Sequence, residues 1–83
     1  MKIGMETWDI EYTDTFNGDA NYSWAHRYEI TVPKALSEAS IKRIAKELVD
    51  ITGVKGVWED TGDGWQYKPV GSCTILYIRE RIK

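Results

Sequence analysis

The sequence predicts an α+β domain: a single helix packed on a mainly antiparallel, twisted sheet, in the order β-β-α-β-β-β. Three observations predict it. Apolar and polar residues alternate over 6–13 and again over 22–32, the period of a half-buried strand. The period changes to that of a helix in one segment only, where Ile41, Ile44, Ala45 and Leu48 fall on one face. Three short apolar runs then follow, divided by Gly- and Pro-containing breaks. Eighty-three residues suit one domain, 1–83, with one core; a chain this short hides only about 60% of its unfolded surface.

Taken in order, Trp8, Ile10 and Tyr12 point to one side of the first strand and Thr7, Asp9, Glu11 and Thr13 to the other. Asp14 to Asn21 reads as a turn-rich connection, because Asn17 and Gly18 tolerate positive φ. The second strand carries Trp24, His26, Tyr28, Ile30 and Val32 on one face and Ala25, Arg27, Glu29 and Thr31 on the other. The two strands read as a hairpin with a loop longer than the tightest class. Pro33 closes it. The helix is expected over 38–51, with Ser37 as N-cap and Gly53 as the left-handed residue after its end. Lys42, Arg43, Lys46, Glu47 and Asp50 fill its wet side, and Ile44 and Leu48 are expected in the core. Strands follow over 54–60, 65–68 and 72–80, the first two separated by the turn Thr61-Gly62-Asp63-Gly64. The last run is apolar on both faces, with Cys73, Ile75 and Tyr77 against Leu76 and Ile78, and is expected to be central and covered on both sides.

Composition narrows the function classes. A net charge of −2 argues against general nucleic-acid binding, which shows as a basic domain. Charge is uneven: residues 1–25 hold Lys2 against Glu6, Asp9, Glu11, Asp14 and Asp19, while the tail reads Arg79-Glu80-Arg81-Ile82-Lys83. One cysteine excludes an internal disulfide and a cysteine-based zinc site. No apolar run has the length of a membrane span or of a signal-peptide core, so a cytoplasmic location is expected. Under that expectation the Asn21-Tyr22-Ser23 sequon has no meaning.

Candidate chemistry is sparse, and neither a catalytic residue nor a metal or other cofactor is expected. His26 sits at an apolar-facing strand position without a partner in the sequence, which fits a structural histidine. Cys73 lies in an apolar run, where burial makes a thiol inert. Asn17, Asp19 and Asn21 imitate the start of a calcium loop, but Tyr22 and Tyr28 stand where that loop needs glycine and glutamate. Asx turns explain the spacing better. Gly62-Asp63-Gly64 lacks the lysine and helix of a phosphate loop. Ten aromatics in so short a chain exceed what one helix can cover, so some are expected on the uncovered sheet face or its rim, as a contact patch. The candidate binding residues are therefore Asp14, Asn17, Asp19, Asn21, Tyr22, Trp24 and Arg27. Arg27 discriminates: paired with Asp14 or Asp19 it makes the loop a clasp, and free it forms an anchor pair with Trp24.

Two segments resemble known proteins. The run from Tyr12 through Thr13-Asp14-Thr15-Phe16-Asn17-Gly18-Asp19-Ala20-Asn21-Tyr22-Ser23-Trp24 to Arg27 resembles the opening of small uncharacterised proteins of tailed bacteriophages. Asp60-Thr61-Gly62-Asp63, with Tyr67 and Gly71-Ser72-Cys73, resembles their C-terminal part. Asn17 departs from the glycine usual there, and suits the same turn. The resemblance leaves the helix unmatched. It implies a phage or prophage origin and expression in a bacterial cytoplasm, and brings no activity. The first expectation is a non-enzymatic protein-binding accessory module, a modulator or inhibitor of a host, phage or defence protein, with self-association through an exposed sheet face as a further option. The alternatives are a single-stranded nucleic-acid binder using Trp and Tyr stacking with Arg27, Arg79 and Arg81, and a small ligand-binding protein or enzyme with its site at the 14–24 loop.

Overall fold

The computed structural model describes residues 4–81; Lys2 and the Ile82-Lys83 end of the tail lie outside the described residues. The elements are β1 (Met5–Phe16), β2 (Asp19–Pro33), α1 (Glu38–Leu48), β3 (Gly56–Asp60), β4 (Gly64–Pro69) and β5 (Thr74–Glu80). One five-stranded sheet has the order β2-β1-β5-β4-β3, and each neighbouring pair is antiparallel. The fold class is α+β. The polypeptide between β2 and β3 must travel from one edge of the sheet to the other. The helix lies on that crossing and therefore covers one face.

Ser37 caps the helix as the sequence predicts, its hydroxyl accepting from the Ser40 N–H at 3.2 Å. The other end is earlier than predicted. Val49 is the C-cap and Asp50, at φ 58°, takes the left-handed position expected of Gly53. The Asp50 N–H donates to Glu47 C=O and the Ile51 N–H to Lys46 C=O, the paired bonds of a Schellman end. Gly53 instead serves the next turn, at φ 81°.

The core is drawn from alternate residues of four strands: Trp8, Ile10, Val32, Tyr67, Leu76 and Ile78, closed by Ile41 and Ala45 of the helix and by Ile51. Trp8 stacks on Trp65 with ring centroids 5.1 Å apart. Two predicted core residues are displaced. Ile44 is only half-buried and Leu48 is exposed, because the residues facing the sheet are Ile41 and Ala45, and the other two fall on the flank. Lys42 also leaves the wet side: its ammonium lies over the rings of Trp58 and Trp65, at 4.7 and 5.1 Å.

β5 is central, as predicted, with Leu76 and Ile78 under the helix. Among the described residues its other face has no second layer: Ile75 is buried among its neighbours, while Arg79 lies over the ring of Tyr77 at 4.4 Å. Cys73 is exposed and precedes the strand, so the buried, inert thiol expected from the sequence is replaced by a surface one.

Candidate functional site

The predicted 14–24 loop is not a loop. β1 runs on to Phe16 and β2 begins at Asp19, joined by the two-residue turn Asn17-Gly18 at φ 54° and 84°. Positive φ at both positions is what a tight hairpin with native twist requires. The extra length sits in a bulge. Thr13 pairs with Ala25 and Thr15 with Ala20, so Asp14 alone opposes Asn21, Tyr22, Ser23 and Trp24.

Asp14 organises that bulge. Its carboxylate accepts from the Asn21 amide at 2.9 Å, from the Ser23 N–H at 3.0 Å and from the Ser23 hydroxyl. These bonds, led by the Ser23 hydroxyl, bring its carboxyl down to about 2. Thr13 adds a hydroxyl bond to the Trp24 carbonyl at 2.8 Å. Asp14, Asn21 and Ser23 are therefore a structural clasp. Asn17 and Asp19 stand at the turn, exposed, and their side chains make no hydrogen bond among the described residues.

Arg27 takes neither of its two expected roles. Its Nε donates to Glu11 at 2.8 Å, on the sheet face opposite Trp24. Positions 24 and 27 differ by three along a strand and must point to opposite faces. Tyr22, at φ 56°, also reaches that open face, where its hydroxyl donates to Glu11 at 2.7 Å. Burial pushes the Glu11 carboxyl up, but the bonds from Tyr22 and Arg27 outweigh it and leave it lowered; the same bond raises the Tyr22 phenol. Nearby, Arg81 donates to Asp9 and pairs with Glu29 at 2.9 Å, holding together two carboxylates that face each other across β1 and β2.

Tyr22 and Tyr77 reach the uncovered face, as the sequence reading expects of some aromatics, but most of the surplus lies on the helix side. Along the edge strand β2, Trp24, His26 and Tyr28 form a row on this side, backed by half-buried Tyr12 of β1. The Trp24 ring is 5.4 Å from Tyr12 and 5.4 Å from His26. Trp24 and Tyr28 are 39% and 38% exposed, against 7% for Trp8 on the same side of the sheet. His26, read from the sequence as a structural residue at an apolar-facing position, is an exposed member of this row. The sequence placed these residues on one face correctly; it did not show how far the helix reaches.

A second feature escaped the sequence reading. Lys42, Arg43 and Lys46 line a cleft of about 290 Å³ with Trp58, Thr52 and Gly53. Lys46 donates to the Val54 carbonyl at 3.3 Å and sits 4.5 Å from the Tyr67 ring. The spacing of Lys42 and Lys46, four apart on one helical flank, was the available signal. No group of three or more His, Cys, Asp or Glu residues is arranged to hold a metal ion among the described residues, and none of their helices is long and apolar enough to cross a membrane. In comparisons with known proteins, no family model, curated protein or solved structure matches the chain.

Proposed function

We propose that this chain is a small phage-encoded, non-enzymatic accessory protein that binds another protein through the helix-side face of its β1–β2 arm, in a bacterial cytoplasm. The observation that carries this reading is the exposed row of Trp24, His26 and Tyr28 along the edge strand, backed by half-buried Tyr12. Aromatic side chains supply large contact area at low entropic cost and dominate binding hot spots. The clasp at Asp14 supports it by fixing the backbone at the head of the row. A partner is a host or phage protein whose activity the module modulates or inhibits. The nucleic-acid alternative draws less support, because Arg27 and Arg81 are engaged by carboxylates and Arg79 by the Tyr77 ring.

Affinity capture from a nuclease-treated bacterial lysate tests the reading. Trp24→Ala is expected to weaken capture about tenfold or more, the scale of a hot-spot loss. Glu47→Ala, on the exposed flank of the helix, is expected to leave it unchanged. Arg27→Ala reports on the opposite face and is expected to have the smaller effect. Equal capture by all three, with each shown folded by circular dichroism, would move the binding surface elsewhere; capture abolished by nuclease or salt would favour nucleic acid.

A further inference from the structure

We propose that two copies of this chain pair edge to edge along β2, in a register centred on Tyr28, to make one continuous ten-stranded sheet. The argument begins with the direction of backbone groups. Arg81 N–H donates to Thr7 C=O and Thr15 N–H to Cys73 C=O, so odd-numbered β1 residues bond towards β5. Lys34 N–H donates to Gly4 C=O, so even-numbered residues of β1 and β2 bond to each other. Alternation along an antiparallel strand then leaves the N–H and C=O of Ala25, Arg27, Glu29 and Thr31 pointing outward. β2 is an edge strand, and among the described residues these groups have no strand partner.

Edge strands invite such pairing unless blunted by a bulge, a proline or a lysine. Here both ends of the edge are blunted, by the bulge at 21–24 and by Pro33, and the window between them holds no bulge, proline or lysine and two charges of opposite sign, Arg27 and Glu29. The midpoint of that window is Tyr28. A two-fold axis there sets Ala25 against Thr31 and Arg27 against Glu29, each twice, and each pair can exchange both its N–H···O=C bonds. No other register uses all four residues. It is also the register in which charges match. A shift one way opposes Arg27 to its own copy, and a shift the other way opposes Glu29 to its own copy; like charges directly opposite are destabilising. The Arg27 side chain is 66% exposed and bonds Glu11 only through Nε, and Glu29 meets Arg81 through Oε2, which leaves the Arg27 terminal nitrogens and the Glu29 Oε1 for the pairing across the two copies. On the helix side, the same pairing sets the two Tyr28 rings side by side and joins the two aromatic rows into one.

Sedimentation equilibrium across a concentration series tests the proposal on the intact chain. The wild type is expected to reach twice the monomer mass of 9.6 kDa. Arg27→Glu, which sets like charges opposite twice, is expected to raise the dimer Kd about tenfold. The double variant Arg27→Glu/Glu29→Arg is expected to return it towards the wild-type value. Thr31→Pro removes an outward N–H and no backbone bond to β1, only the exposed Thr7–Thr31 hydroxyl bond, and is expected to weaken the dimer while circular dichroism stays native. Amide exchange at Arg27 and Glu29 should slow as concentration rises. A wild type monomeric into the millimolar range overturns the proposal. So does a mass growing beyond two chains, or a folded Thr31→Pro variant that dimerises as tightly as the wild type. These readouts do not involve the arm's partner, so either proposal can fail alone.

Discussion

The two halves of the β1–β2 hairpin differ in burial although they share one sequence pattern. At its base, Trp8, Ile10 and Val32 are buried beneath the helix; along its arm, Trp24, His26 and Tyr28 occupy the same side of the sheet and are exposed. Two things decide the difference: β2 is the sheet edge, so Tyr28 is exposed although it lies directly opposite buried Ile10, and the helix is short beside the strands. An 11-residue helix spans roughly 16 Å, whereas a 15-residue strand spans about 50 Å. One helix cannot roof that strand, and the long dimension of the molecule, 48 Å, follows the same disproportion. Period-2 alternation therefore marks which side a residue takes; burial depends on what lies above it.

The largest expected effect belongs to the base. Ile78, fully buried beneath the helix, should lose about 2–5 kcal/mol of stability on Ile78→Ala, through transfer and cavity terms together. Leu48→Ala removes a side chain of similar size from the helix flank and should cost less than about 1 kcal/mol. Chemical-denaturation midpoints measure both. Equal midpoints for the two variants would erase the distinction between roofed and unroofed positions.

A smaller effect is expected where the sheet admits no side chain. A Cβ on Gly64 would fall 1.8 Å from the Ile78 carbonyl oxygen, within the β4–β5 ladder. Neither strand can yield without moving the core residues beside it. Gly64→Ala should cost about 1–3 kcal/mol by forced backbone displacement, again read from the denaturation midpoint. Unchanged stability would mean that β4 shifts freely, and that the base is less tightly packed than its burial implies.

Much of the fold was legible in the sequence because it rests on local periodicity. The strand faces, the Ser37 cap and the central position of β5 all follow from residue spacing. What failed was tertiary in origin. Leu48 lies on the apolar stripe, yet the helix presents Ile41 and Ala45 to the sheet. Lys42 reads as a solvent-facing charge, and two indoles from β3 and β4 claim its ammonium. Asp14 was singled out, but as one of several loop polar groups; its particular role depends on a bulge that brings Asn21 and Ser23 back to it. Trp24 and Arg27 looked like one anchor pair because they are near in sequence, and strand alternation separates them.

The smallest effect is expected at the clasp, and its sign can be fixed. The Asp14 carboxyl is depressed to about 2 by the Ser23 hydroxyl and the Asn21 amide, against an ordinary value of about 3.9. A depressed carboxyl contributes fully above its unfolded value and loses that contribution as pH falls through its folded one. The window is therefore between about pH 4 and pH 2. Asp14 is half-buried and the bulge lies outside the hydrophobic core cluster, so its loss should loosen the arm without unfolding the base. Side-chain carboxyl NMR is expected to show Asp14 titrating near 2, with the Ser23 amide shifting in step. Trp24 emission should change over the same interval, since Thr13 and the bulge hold its backbone. Asp14→Ala should abolish the Ser23 transition and leave the denaturation midpoint at neutral pH close to wild type. An Asp14 midpoint near the ordinary value would show the clasp open in solution, and the arm would then present Trp24 on a mobile backbone instead of a fixed one.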